Sequence, residues 1–501
     1  MLLTERYRDQ LRGTLSCFDR VMILGTLPSL GFAEGMTLYL MKHHIRIFDY
    51  AHFAEPLRDA IRVNAEQMAQ QQGVEIEFVR KTDVRKEKRI AEVLRHRGNQ
   101  PGLVHILSAM ETCPTYKPWH DKQTGRTFLK GDFSKCLHYY FYFVDEDLGL
   151  IFVRVPTWCP FRMQFYLNGH SLLATKLTKR NIKHTLLDNV FIDIEDLKTA
   201  QALADDLDIL WLHKKLDYYA RLCCPVIETL GLTYHWSLMQ VEYSTDIIFK
   251  RQPDLALIYD SLVRTAVHTV KPDHIATFLG RKLTNKYQDE MGNRFSTRIE
   301  GTCVKHIMGP VMIKMYDKVR LVLRIETAAN KPSFFKHHRW VEQKNGTREY
   351  KLAPLKRSIY SLPVLAELMR AANKRYLDLI SEMDDPSAGR KLLNKVCEPK
   401  KQQGRSYKGL NFFHAADQKL IEALARGEFT ISGFRNKDLR RLLPHLNTAQ
   451  ISRRLKCLRL HGLLRRVGRT YKYYLSKRGR RVFITGLKLK ELFLVPHLAL
   501  P

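Results

Sequence analysis

Residues 313–327 read IKMYDKVRLVLRIET, two apolar runs joined by a short charged break at Val319-Arg320. Successive side chains on a strand point to opposite faces, so Val322, Arg324 and Glu326 share one face and Leu321, Leu323 and Ile325 the other. The alternation predicts a half-buried hairpin whose polar face looks into a site. An Arg-x-Glu on a strand is also the pattern of an ordinary structural ion pair. Tyr316 beside it also fits a packed hairpin aromatic.

Upstream lies YHWSLMQVEYSTDIIF, residues 234–249. Read as a strand, it sets Trp236, Leu238, Gln240, Glu242, Ser244 and Asp246 on one side. Glu242 and Asp246 then stand about 13 Å apart, at about 3.3 Å per residue, too far to share one ion on a straight strand. Glu242 is the expected ligand of the two. Glu242, Asp317 and Glu326 fall on successive strand candidates of one basic region. Converging carboxylates without Cys or paired His suit a hard ion, Mg2+ or Mn2+. Between them, TFLGRKLTNKY (277–287) reads as a strand end followed by a glycine and basic residues.

The whole chain of 501 residues is 45% hydrophobic and 27% charged, enough for two to four globular domains with real cores. Its nine cysteines form no CxxC pair, which fits a reducing cytoplasm better than a zinc site or disulfide frame. No apolar run reaches membrane-spanning length, so the expectation is a cytoplasmic protein with no membrane partner. A formal net charge of +32 points to a polyanion, and nucleic acid rewards each neutralising Lys or Arg by counterion release.

The predicted fold is multidomain α+β, with a mixed or antiparallel sheet core and a C-terminal winged helix-turn-helix. The composition divides it into an α/β region (1–102), a strand-rich then helical region (103–230), a metal-binding β core (231–350), a helical connector and polar linker (351–407) and the winged helix (408–490). In the last block, DQKLIEALARGEF, FRNKDLRRLLPHL and NTAQISRRLKCLRLHGLLRRV read as three helices, with Asn447 or Thr448 capping the third. RTYKYYLSKRGRRVF alternates as a two-stranded wing does. Residues 431–490 hold eighteen Lys and Arg against one acid, Asp438, the footprint of a phosphate-tracking surface. A third helix in the major groove offers Gln450, Arg453, Arg454 and Lys456, with Arg435, Lys437, Arg465, Arg469 and Lys472 around it. A winged helix used for protein docking has the same outline.

The ordered set EYSTD, FLGRK, IKMYDK and LRIE, over about residues 234–330, resembles the core of rolling-circle replication initiators of the plasmid and filamentous-phage nicking type. The whole chain also resembles bacterial proteins of mobile-element origin. The nicking resemblance implies a tyrosine that attacks single-stranded DNA, leaving a 5′-phosphotyrosyl enzyme and a free 3′-OH, with a divalent ion on the scissile phosphate. Carried onto this sequence, it makes Tyr316 the nucleophile, with Tyr243 and Tyr234 behind it. Glu242 and Glu326 become metal ligands with Asp317 as a further one, and Lys318, Lys314 and Arg324 hold phosphate. The chain departs from the pattern at Glu242, where Asp is common, and at Phe278, where an aromatic hydroxyl is common. It also lacks a His-hydrophobic-His triplet.

Two other readings stand beside this one. The first is a non-catalytic DNA-binding regulator whose acids are structural ion pairs. The second is a transposase-like nuclease that uses metal-bound carboxylates and water, drawing on Asp188 or Asp193 with Glu242. Residues 1–230 suit RNA, DNA or a protein partner equally.

Overall fold

The computed structural model describes residues 2–80, 85–281, 283, 290–298, 301–384, 392, 394–426, 429, 433–468, 470–490 and 495–498. It divides into two compact units, Met1–Asp384 and Asp385–Pro501. None of the described helices is long and apolar enough to cross a membrane.

The first unit is mixed α+β. Its strands are β1 (Leu11–Thr26), β2 (Ile76–Phe78), β3 (Gly102–Asp121), β4 (Arg126–Asp145), β5 (Gly149–Pro156), β6 (Met163–Leu167), β7 (His184–Leu187) and β8 (Val190–Ile194). There follow β9 (His235–Phe249), β10 (Met291–Arg298), β11 (Gly301–Met308), β12 (Val311–Lys318), β13 (Val322–Ala329), β14 (Lys336–Glu342) and β15 (Arg348–Pro354). Eleven of them form one sheet in the order β10-β11-β12-β13-β9-β1-β6-β5-β4-β3-β2, antiparallel except at β2–β3. The order mirrors itself about the β1–β9 pair. In each half a long strand leads through helices into a four-strand meander, whose last strand returns beside the first. The boundaries expected at residues 102 and 230 therefore fall inside one unit, because the sheet runs through both.

The IKMYDK and LVLRIET runs pair as β12 and β13, with Lys318 opposite Val322. The Leu321 N–H closes the turn on the Lys318 carbonyl at 3.1 Å. Val319 and Arg320 hold φ of 50° and 57° there, a left-handed conformation that glycine or asparagine adopts more readily. One face of the sheet is covered by helices Tyr50–Gln72, Gln252–Thr269 and Leu362–Asp384. Leu57, Ile61 and Ala65, then Leu255 and Leu262, then Leu365, Met369 and Tyr376 recur at helical spacing and join Ile23, Val241, Ile247 and Ile325 in one core.

Several local expectations differ from the observed elements. Within the α/β region expected over 1–102, Ile47–Asp49 forms a short 3-10 turn rather than a strand. The β7–β8 ribbon interrupts the helical part of the region expected over 103–230. Thr277 and Phe278 are not a strand end; they close a helix, Pro272–Phe278, whose C-cap is Leu279. Pro272 stands at the first helical position, where its missing N–H costs nothing.

The second unit holds helices Ala415–Leu424, Asn436–Leu442 and Thr448–Leu460, the ribbons β16 (Lys400–Gln402)–β17 (Arg405–Tyr407) and β18 (Leu464–Arg466)–β19 (Tyr473–Leu475), and a helix Lys477–Leu489. Leu420, Leu424, Phe434, Leu439, Ile451, Leu455 and Phe483 form its core. Residues after Ser476, expected as part of a strand, are helical because Ser476 accepts the Gly479 N–H as an N-cap.

Candidate metal centre

Three neighbouring central strands, β1, β9 and β13, bring their acids to one face. Arg324 lies opposite Asp246, and Glu326 opposite Ser244. On the far side of β13, Tyr316 lies opposite Arg324 and Lys314 opposite Glu326. β1 contributes through an irregularity: Phe18 pairs with Tyr243 and Arg20 with Glu242, leaving Asp19 as the extra residue of a bulge. Asp19, Glu242 and Glu326 each present a carboxylate oxygen, all within 4.8 Å of one another.

Glu326 is buried, and both of its oxygens have donors. The Lys314 ammonium lies 2.5 Å from Oε1, and the Tyr316 hydroxyl donates to Oε2. Lys314 also stands 3.5 Å from Glu242, and these two side chains are the most exposed members of the cluster, at 15% each. They form its mouth. Behind them Arg324, fully buried, donates to both oxygens of Asp246 at 2.7 and 2.6 Å and to the Asn189 carbonyl at 2.6 Å. It also stands 3.4 Å from Asp19, to which the Asn189 side chain donates at 2.6 Å.

His170 completes the rear wall. Asn168 caps the Gly169–Lys179 helix by accepting the N–H groups of His170 and Ser171. Gly169 lets that helix start against β1, since a Cβ there would meet the Phe18 carbonyl oxygen at 2.2 Å. Arg324 Nη2 lies 3.0 Å from His170 Nε2, while Nδ1 lies 3.2 Å from Asp19. The Nδ1 edge of His170 thus faces the Asp19 carboxylate and its Nε2 edge the Arg324 guanidinium.

Asp19, Glu242, Asp246 and Glu326 share this face with the cations Arg324 and Lys314. Burial alone would lower His170, but the nearby Cys17 and the hydrogen bonds to Asp19 and Asp246 raise it well above the usual histidine range. Burial, and then the charge of Glu326, push the Glu242 carboxyl up to about 7. Burial alone would raise Asp19, but the His170 hydrogen bond and the charge of Arg324 hold it well below the usual carboxylate range. Burial would lower Lys314, yet the charges of Glu326 and Glu242 carry it above the usual lysine range. Burial, reinforced by Glu326, makes the Tyr316 phenol far less acidic than usual.

The remaining sequence candidates go elsewhere. Asp317 points to the other face of β12, opposite Leu323, so it is no part of the acid cluster. Lys318 reaches Asp188 at 3.0 Å, and Asp193 pairs with Arg12 at 2.7 Å, so neither acid joins Glu242. Tyr243 takes N–H groups from Arg370 at 2.9 and 2.6 Å, and Tyr234 donates to the Phe161 carbonyl at 2.8 Å. Asp19 is the member of the acid cluster that sequence reasoning missed. Its one signal is an acid in the middle of an apolar strand, FDRVMIL.

In the second unit Gln450 and Asn447 cap each other's backbone N–H, both at 2.9 Å. Arg454 donates to the Ala416 carbonyl at 3.0 Å and approaches Asp417 at 3.9 Å, and the Lys456 ammonium lies 5.2 Å over the Tyr407 ring. Arg435, Lys437, Arg453 and Arg465 are exposed, and Lys472 is half-buried against Tyr474. Arg469 lies outside the described residues. No family model matches this chain, and no curated protein or solved structure is similar to it.

Proposed function

We propose that the first unit cleaves phosphodiester bonds of DNA with a divalent cation, Mg2+ or Mn2+, held by Asp19, Glu242 and Glu326. The observation that carries this reading is the approach of three carboxylate oxygens, from Asp19, Glu242 and Glu326, within 4.8 Å of one another. An all-oxygen donor set suits a hard ion. When bound, the ion supplies Lewis-acid polarisation of a phosphate oxygen. Lys314 at the mouth can donate to a second phosphate oxygen, and Arg324 fixes the rear of the site without facing solvent. Tyr316 is a buried donor that orients Glu326, and its weakened acidity argues against a phenolate nucleophile. Water is therefore the favoured nucleophile, as in a carboxylate–metal nuclease, rather than the tyrosine of a nicking initiator.

We further infer that residues 408–490 are a winged helix-turn-helix that seats the protein on duplex DNA, with β18–β19 as the wing and Arg453 as the foremost contact of the third helix. Concentrated cationic charge and the order of helices and ribbon support this.

The test is cleavage of labelled single-stranded and duplex oligonucleotides with Mn2+ or Mg2+. Glu326→Gln and Asp19→Asn should each lose at least about a hundredfold in rate, while Tyr316→Phe should still cut and leave no SDS-resistant adduct. Cleavage undiminished in Glu326→Gln would overturn the metal reading. An adduct lost in Tyr316→Phe would restore the tyrosine mechanism.

A further inference from the structure

The β14–β15 hairpin is inserted between β13 and the Leu362–Asp384 helix, and it forms its own two-stranded sheet. Its register places His338 opposite Leu352 and Trp340 opposite Tyr350. Strand alternation sends these four side chains to one face. That face is open: Trp340 is 64% exposed, Tyr350 57% and Leu352 54%. The Trp340 and Tyr350 rings lie 5.6 Å apart, and the His338 ring lies 5.8 Å from Tyr350. Large aromatic rings so exposed on adjacent strands mark a surface built for a partner.

We propose that this ribbon face binds single-stranded nucleic acid, its aromatic rings stacking on unpaired bases while flanking cations hold the phosphates. Lys336 and Arg348 share this face, with Lys344 at the turn and Glu342 as its acid, while Arg339, Lys351 and Glu349 alternate to the other face, where Lys351 and Glu349 pair at 2.7 Å. Flat rings interleaved with cations are the chemistry of a base-stacking platform, which tolerates sequence because every base has a π face. Duplex bases hide those faces, so an unpaired strand is the matching ligand. A lipid surface, the other partner of exposed Trp and Lys, wants a broader aliphatic face than the single Leu352 provides.

A second ribbon repeats the device. Near the tip of β3–β4, Trp119 lies opposite Phe128, and the Lys130 ammonium sits 4.9 Å over the Trp119 ring. Trp119 is 45% exposed and Phe128 37%. The inference shares with the proposed cleavage only a nucleic-acid partner and uses none of its residues.

The experiment is fluorescence anisotropy of a labelled oligothymidylate with the full chain in EDTA, so that binding is read without cleavage. Trp340→Ala should weaken binding about tenfold and Trp340→Ala/Tyr350→Ala further, with Trp340→Phe retaining most of the affinity. The salt dependence should be unchanged in these variants and shallower in Arg348→Gln. Because EDTA leaves no ion at the acid cluster, this result stands apart from the fate of the metal site. Equal affinity of Trp340→Ala and wild type would overturn the proposal. So would loss of phosphatidylserine-vesicle binding in Trp340→Ala with oligonucleotide affinity intact.

Discussion

Arg324 and Asp246 face each other across β13 and β9, joined by two hydrogen bonds of 2.7 and 2.6 Å, and both side chains are shut away from water. Removing one partner of such a pair strands a charge in a low-dielectric interior, at a cost of about 3–5 kcal/mol. Asp246→Asn is expected to lose stability on that order, measured by urea unfolding of the first unit. A loss below about 1 kcal/mol would mean the pair holds little.

Glu242 sets the pH dependence. Its carboxyl titrates near 7 in the fold against an ordinary value of 4.5. The raised value means the folded state favours the protonated form. This contribution is whole below about pH 4.5 and is lost as the pH rises through about 7. Glu242→Gln, always neutral, should therefore be more stable than wild type at pH 8 in EDTA, by at most about 3 kcal/mol. The two should converge toward pH 4.5, and denaturant midpoints across this range check both ends.

Added Mg2+ or Mn2+ should raise the melting temperature of the wild type. At a hundred times the dissociation constant the gain is about 2.7 kcal/mol. Glu326→Gln should lose this gain. Calorimetry in buffers of different ionisation enthalpy should find about one proton released per ion at pH 6, where Glu242 is protonated, and none at pH 9.

In the second unit, two adjacent arginines should behave differently. Arg453 is exposed, so Arg453→Gln should lower the salt slope of duplex binding by about one and leave unfolding unchanged. Arg454 is tied to the Ala416 carbonyl, so Arg454→Gln should shift unfolding instead. Asn447→Ala should cost about 1 kcal/mol through the lost cap.

The hairpin 313–327 was legible because its alternation is local: Arg324 and Glu326 share a face in the sequence and in the fold. Glu242 was legible for the same reason, while Asp246 on the same face is taken up by Arg324. Asp317 was misread because it sits one residue off the face that Tyr316 and Lys318 share, and a strand sends such a neighbour to the opposite side. Asp19 was hidden because its approach to Glu242 depends on a pairing between β1 and β9, more than two hundred positions apart, and on a bulge that no periodicity announces. The mirrored strand order was equally hidden. Shared topology leaves no repeat in the residues when each half carries different side chains and insertions.

That mirrored order gives the acid cluster a temporal property. Asp19 comes from the opening strand of the first half, Glu242 and Glu326 from the second, so the cluster spans the joint between them. During synthesis Asp19 can meet His170 and Asn189 early, but it meets the other two acids only after the ribosome has passed residue 326. A chain cut short before β9 carries none of the assembled site, however well its own half has folded. Assembly of the acid cluster thus certifies that the unit is complete, and a polypeptide divided between β6 and β9 would lack it until its two pieces met.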